Sequence, residues 1–132
     1  MLTLEDAQRF GHSREVGPFL GLQPKQRDSG ASQPQLGISK TGDRLLRSLL
    51  VQGAHCMLRK GAPDSDLREW GLAKQQSGGK GAKRRAVVGV ARKLAVLLHK
   101  LWANGEVYDP LYNRKAAEAA KAKGKAKAKV AA

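Results

Sequence analysis

A chain of 132 residues has room for one compact domain with a modest core, and its net charge of +14 attracts polyanions. Hydrophobic residues make up 41% of the chain but aromatic residues only 5%, so aliphatic side chains on helices must supply most of the burial, which favours a mainly α fold. No apolar run approaches the ~20 residues that span a bilayer, and residues 1–10 do not resemble a secretory signal. We therefore expect a cytoplasmic protein with nucleic acid, and no membrane, as its partner.

The first part of the chain predicts two short helices and a long loop. The helices should cover residues 4–10 and 13–20, with Ser13 as a possible cap of the second. From residue 21 to 41, prolines and glycines punctuate a segment rich in Gln, Ser and Lys, which is typical of a loop. Loops of this length are uncommon in compact domains and are often functional.

Three longer helices are predicted after the loop. Helical periodicity with a leucine stripe covers residues 42–59. A shorter helix, capped by Asp64 or Ser65, should continue through Gln75. The longest helix, residues 82–104, has apolar residues at helical spacing and should anchor the core.

The cysteine and histidines of the chain do not indicate a metal site. His12, His55 and His99 are far apart in sequence and lack partners at metal-ligand spacing, so we predict no bound metal. His99 is expected at the edge of the core, beside the leucines of the longest helix. Cys56 lies in an apolar helical stretch, where a thiol usually behaves as a small hydrophobic group.

The C-terminal segment, residues 113–132, is a lysine and alanine repeat in which seven Lys and Arg residues are opposed by Glu118 alone. Alanine and lysine favour helix, but charges of one sign repel and no apolar face is present. We therefore predict a domain over residues 1–112 and a basic tail that stays disordered until it meets phosphates.

A second basic segment, residues 77–85, is rich in glycine and leads into the longest helix. It lacks the spacing of a nucleotide-binding loop, and no apolar strand precedes it. Cations at a helix N-terminus suit a DNA backbone contact, whereas a solvated charged loop is an equally open alternative.

Several short motifs resemble a known family, the insertion-sequence transposases named after elements 110, 116 and 902, and in particular their C-terminal transposase domain. The resemblance extends from about Arg9 to Tyr108, and the order and spacing of its motifs agree with the family. The motifs are Gly21-Leu22-x-Pro24, Ser29-Gly30, Ile38-Ser39-Lys40-x-Gly42, Leu46-Arg47, Ala91-Arg92-Lys93-Leu94 and the ending from Gly105 to Asp109.

The resemblance implies DNA transposition or site-specific recombination, with Ser29 at the position of the nucleophile that attacks a DNA phosphodiester. Family members begin with a RuvC-type domain whose four acidic residues bind a divalent metal such as Mg²⁺. That domain is absent from this sequence, so we expect an N-terminally truncated fragment that is inactive alone. Expected partners are DNA, a guide RNA, the missing acidic domain and other transposase copies.

The candidate site combines Ser29 with cations that could bind phosphates. A serine hydroxyl is a weak nucleophile that needs a base or a metal nearby, and the sequence identifies no base. The alternatives are a turn serine in a non-catalytic basic DNA-binding protein, or a decayed product without function. The candidate DNA-binding residues are Lys25, Arg27, Lys40, Arg47, Lys80, Lys83, Arg84, Arg85, Arg92 and Lys93.

Overall fold

The computed structural model describes residues 4–25, 30–31 and 36–130, without the side chains of residues 127–129. Over these ranges the chain is mainly α-helical and contains no strand, as the sequence predicted. No helix in this part of the chain is long and apolar enough to cross a membrane. Its helices are α1 (Val16–Phe19), α2 (Arg44–Leu58), α3 (Asp66–Gln76), α4 (Ala82–Asn104) and α5 (Tyr112–Val130), preceded by 3-10 turns at Ala7–Arg9 and Ser13–Glu15.

Helix α4 is the centre of the core, and α1, α2 and α3 all pack against it. Its residues Val90 and Ala91 have no exposed surface. Close backbone approach allows this packing: Leu58 of α2 and Val90 both lie against the backbone of Gly71 in α3. Because Gly53 of α2 lies against Leu94, one turn further along α4, helices α2 and α4 are antiparallel.

Helix boundaries follow local capping chemistry. Asp43 precedes α2 and its carboxylate accepts a hydrogen bond of 2.7 Å from the amide of Leu46. Of the two predicted caps of α3, Ser65 is the one used, and it accepts from the amide of Arg68 at 3.1 Å. Helix α4 ends at Gly105, whose φ of +64° is the left-handed conformation that glycine favours.

The N-terminal segment is less helical than predicted. The helix expected over residues 4–10 is limited to the 3-10 turn Ala7–Arg9, in which the Asp6 carboxylate accepts from the amide of Gln8. Residues 13–20 form a 3-10 turn and the single α-turn of α1. Asp6 bonds its near neighbour instead of supporting a longer helix, which is the usual effect of aspartate near a chain turn.

Two side chains differ from their expected environments. His99 is buried rather than at the edge of the core, and only 3% of it is exposed. Its Nδ1 lies 2.9 Å from Ser13 Oγ and its Nε2 donates to the Ala7 carbonyl at 2.8 Å, so both ring nitrogens have partners from the N-terminal segment. Cys56, by contrast, is exposed on α2.

The basic tail also differs from the prediction, because residues 112–130 form helix α5 instead of a disordered segment. Acidic groups at the start of α3 and just before it hold the first turn of α5: Arg114 pairs with Asp64 and Glu69, both at 2.9 Å, and the amide of Asn113 donates to Asp66. Alanine and lysine are strong helix formers, and this fixed first turn removes the nucleation cost.

Candidate nucleic-acid interface

The loop between α1 and α2 has a paired stem. Pro24 and Ile38 form an antiparallel bridge. Beside it, the amide of Lys25 donates to the carbonyl of Gly37, and the amide of Ser39 donates to the carbonyl of Gln23, both at 2.9 Å. The two ends of the loop therefore run side by side, and the segment that contains Ser29 lies between them in sequence.

Glycines allow the base of this loop to close tightly. Gly21 and Gly42 have φ angles of +71° and +80°, and each lies so close to the opposite end of the loop that a Cβ would clash with backbone. Gly21 contacts Thr41, and Gly42 contacts Phe19. Side chains at these two glycines would force the loop ends apart.

Arg47 of α2 supports the same closure. Its Nη1 donates to the carbonyl oxygens of Leu20 at 3.1 Å and Thr41 at 3.0 Å. The sequence predicted Arg47 as a DNA contact, whereas its described hydrogen bonds fix the base of the loop. Leu20 and Leu22, each 1% exposed, anchor the incoming end of the loop in the core.

Two predicted cations of the loop, Lys25 and Lys40, lie on its stem. Lys25 and Lys40 are both exposed. Lys40 has a φ of +58°, a strained value for a residue with a side chain, which the surrounding pairing must maintain. Gly30 is exposed with a φ of +46°. Ser29 and Arg27 lie outside the described residues, so the predicted nucleophile stays a prediction.

The start of α4 carries the largest group of predicted cations. Lys80, Lys83, Arg84 and Arg85 are all exposed, and no acidic residue stands in the first turn. Helix N-termini also present backbone amides that favour phosphate. Arg85 Nη1 donates to the carbonyl of Lys80 at 3.0 Å, which orients part of this cluster.

Arg92 and Lys93 are neighbours in sequence but point to different parts of the molecule. The Arg92 side chain lies against Gly17 of α1, near the entry to the loop. Lys93 Nζ lies 4.3 Å from the ring centroid of Trp70 on α3. From the rise of an α-helix, Lys83 and Arg92 are roughly 13 Å apart along α4, so Arg92 belongs to a different group of cations from the cluster at the helix start.

Sequence reasoning missed Trp70 and Lys74, which lie between these groups. Both line a pocket of about 260 Å³ at the junction of α3 and α4, together with Arg85. Lys74 Nζ lies 5.9 Å from the Trp70 ring centroid. The spacing of Trp70 and Lys74, one helical turn apart, was visible in the sequence, but its link to Lys93 and Arg85 depends on tertiary packing.

Acidic groups are concentrated at the opposite end of α3, where they pair with the tail. Hydrogen bonds from Arg114 to Glu69 and Asp64 raise the pKa of that guanidinium. The pKa of Asp109 is lowered, first by its bond to Lys115 and then by the amide of Leu111. Among the described residues, no group of three or more His, Cys, Asp or Glu side chains could hold a metal ion.

Comparison with known proteins identifies related transposases. The family model described as Transposase IS116/IS110/IS902 family matches residues 1–68. The chain is 36% identical over 107 residues to the transposase for insertion sequence element IS1111A of Coxiella burnetii, covering 80% of this chain and 29% of that protein. It is 35% identical over 108 residues to a probable family 20 transposase of Pseudomonas aeruginosa, covering 80% and 30%.

A putative transposase of Sinorhizobium fredii, y4rJ, is 35% identical over 104 residues, which cover 78% of this chain and 26% of that protein. The chain thus spans less than a third of the length of these three relatives. No solved structure matches it.

Proposed function

Because the chain belongs to the IS116/IS110/IS902 family of transposases, we propose that it is the C-terminal, DNA-binding domain of an insertion-sequence transposase and carries the serine nucleophile, Ser29. The observation that carries this proposal is the loop itself. Its ends are fixed on the core by Arg47 and by the close approach of Gly21 and Gly42, while exposed Lys25 and Lys40 stand on its stem. A fixed base with a cationic stem suits a loop that meets a phosphodiester.

In the proposed reaction the Ser29 hydroxyl attacks a DNA phosphorus. A bond forms between serine Oγ and phosphorus, the bond from phosphorus to one sugar oxygen breaks, and the serine proton leaves to a base. We place that base, and the divalent metal that would assist it, in the part of the transposase beyond this chain. The cations described here would position DNA without reading its sequence.

The test is to supply the remaining part of a related transposase with its guide RNA and target DNA, and to search for DNA joined covalently to this chain. We expect an adduct at Ser29 that the Ser29→Ala variant lacks. An adduct that persists in Ser29→Ala would remove the nucleophile. Ser39→Ala serves as the matched control, since Ser39 lies on the loop stem and bonds Thr41 at 3.2 Å.

Helix α5 favours a second candidate, a non-catalytic DNA-binding function. Its lysines 121, 123 and 125 are exposed, and α3 is the only described element that contacts this helix. Deletion of residues 113–132 should weaken DNA binding and reduce its dependence on salt, because fewer phosphates are neutralised. Unchanged affinity and salt dependence would contradict a role for the tail.

A further inference from the structure

We propose that Trp70 and the cations around it bind an unpaired DNA base together with its phosphate, so that a single DNA strand lies beside α4. This inference rests on the proposed DNA-binding function. It specifies that this part of the surface binds single-stranded DNA. It concerns the pocket at the junction of α3 and α4, away from the Ser29 loop.

The pocket has the size and lining for one planar group. Its volume of about 260 Å³ is just below the roughly 300–1,000 Å³ of pockets that hold drug-sized ligands. Trp70 supplies an aromatic surface, Lys74 and Arg85 supply positive charge, and the small residues Ser77, Gly78 and Ala82 leave space between them. None of the lining residues is acidic.

The indole ring is held in place by α4. A Cβ at Gly89 would lie only 2.9 Å from Trp70 Cη2, so one edge of the ring rests on the helix backbone. This contact restricts the ring, and a larger residue at position 89 would have to displace it. A restricted aromatic ring is a good stacking platform, because little conformational freedom is lost when a base binds.

Two lysine ammonium groups lie close to the ring. Lys93 Nζ lies 4.3 Å and Lys74 Nζ 5.9 Å from the ring centroid, and both side chains are exposed. Trp70 is only half buried and also packs against the core, so the part of the indole beside these exposed lysines can be reached from solvent. A base that replaces them would leave the two ammonium groups beside its own phosphate, which they can neutralise.

The combination distinguishes an unpaired strand from a duplex. Inside a duplex each base is stacked on its neighbours and cannot reach an aromatic side chain without leaving the stack. Cations alone would bind duplex and single-stranded phosphates, whereas an accessible indole among them favours strands with free bases. The nearest acidic neighbour in sequence, Glu69, pairs with Arg114 at 2.9 Å and is not part of the pocket lining.

The test compares the full chain on three DNA ligands: a single-stranded oligothymidylate, the same strand with abasic sites, and a duplex. The abasic strand keeps every phosphate and loses the bases. We expect at least about fivefold weaker binding of the abasic strand, since stacking on one aromatic contributes that much or more. Trp70→Leu should remove this preference and leave duplex affinity unchanged, whereas Trp102→Leu, at the other end of α4, should keep it.

Equal affinity for the two single strands, with the duplex still bound, would overturn this inference and leave the proposed function standing. Failure to bind any of the DNA ligands would instead contradict the proposed function. Stronger Trp70-dependent binding to a matched oligouridylate than to the DNA strand would overturn the assignment to DNA. If Trp70→Leu does not fold, quenching of Trp70 fluorescence by the oligothymidylate in a Trp102→Phe variant decides the question, and unquenched emission would overturn it.

Discussion

Arg47 reaches across 27 residues of sequence to Leu20, whose carbonyl oxygen accepts a hydrogen bond of 3.1 Å from the guanidinium. The same nitrogen donates to the carbonyl of Thr41 at 3.0 Å. Leu20 and Thr41 stand at the two ends of the loop that contains Ser29, so one side chain of α2 holds both ends. Arg47, which the sequence alone suggests as a DNA contact, thus holds the base of the loop.

Replacement of Arg47 by Met should loosen the base of the loop. Hydrogen bonds from charged groups contribute about 1.5–3 kcal/mol. We expect the free energy of unfolding to decrease by an amount within or just below that range, because Arg47 is only half buried. The amides of Ser39 and Lys40, which pair across the stem, should exchange their hydrogens faster. Arg44→Met is the control. Equal exchange in both variants would show that Arg47 does not hold the loop.

His99→Leu should destabilise the N-terminal segment. The substitution leaves the partly buried Ala7 carbonyl and Ser13 hydroxyl without their partner, and an unsatisfied buried group costs about 1–3 kcal/mol. Ser13→Ala removes one of these bonds and should have a smaller effect. Urea denaturation of the two variants measures the difference, and a larger loss in Ser13→Ala would contradict this ranking.

Two glycines in helices should respond to alanine in opposite directions. Gly124→Ala in α5 meets no atom within 4 Å and should raise helix content, since alanine is favoured over glycine by about 0.5–1 kcal/mol. Gly89→Ala meets the Trp70 ring at 2.9 Å and should lower stability by about 1–3 kcal/mol through overpacking. Circular dichroism and thermal melting follow both variants. A stabilised Gly89→Ala protein would mean that Trp70 does not rest on α4.

The contact between Asp109 and Lys115 should make the start of α5 sensitive to acid. Hydrogen bonds to Lys115 and to the amide of Leu111 lower the pKa of Asp109 below its ordinary value of 3.8. A lowered folded-state pKa means that the stabilising effect is complete above the ordinary value and is lost as the pH falls through the folded value. The Leu111 amide resonance should therefore shift in this acidic range, and Asp109→Asn should abolish the shift.

The features predicted correctly were those that depend on neighbouring residues. The apolar repeat of α4 predicted its limits, residues 82–104. The sequence proposed two residues as the cap of α3, and one of them, Ser65, is the cap in the structure. The described residues of the predicted loop, 21–25, 30–31 and 36–41, contain no helix or strand, as its prolines and glycines indicated. Such signals act over one or two helical turns, which is why they are readable before the fold is known.

Features that depend on packing were missed or remained predictions. Burial of His99 requires the N-terminal segment to fold back onto α4, and Trp70 acquires Lys93 and Arg85 only when α3 packs beside that helix. The tail forms a helix because acidic residues more than 40 positions earlier hold its first turn. The chemistry assigned to Ser29 still rests on the family resemblance.

The proposed DNA binding through fixed cations can be tested with a charge-matched pair of variants. One variant changes Lys80, Lys83, Arg84 and Arg85 to Gln, and the other changes four tail lysines, at positions 121, 123, 125 and 127, to Gln. Both variants lose the same charge, so any difference in duplex affinity and salt dependence shows that the position of the cations matters. We predict the larger loss for the cluster at the start of α4. Equal losses, or undetectable DNA binding by the unmodified chain, would contradict this account.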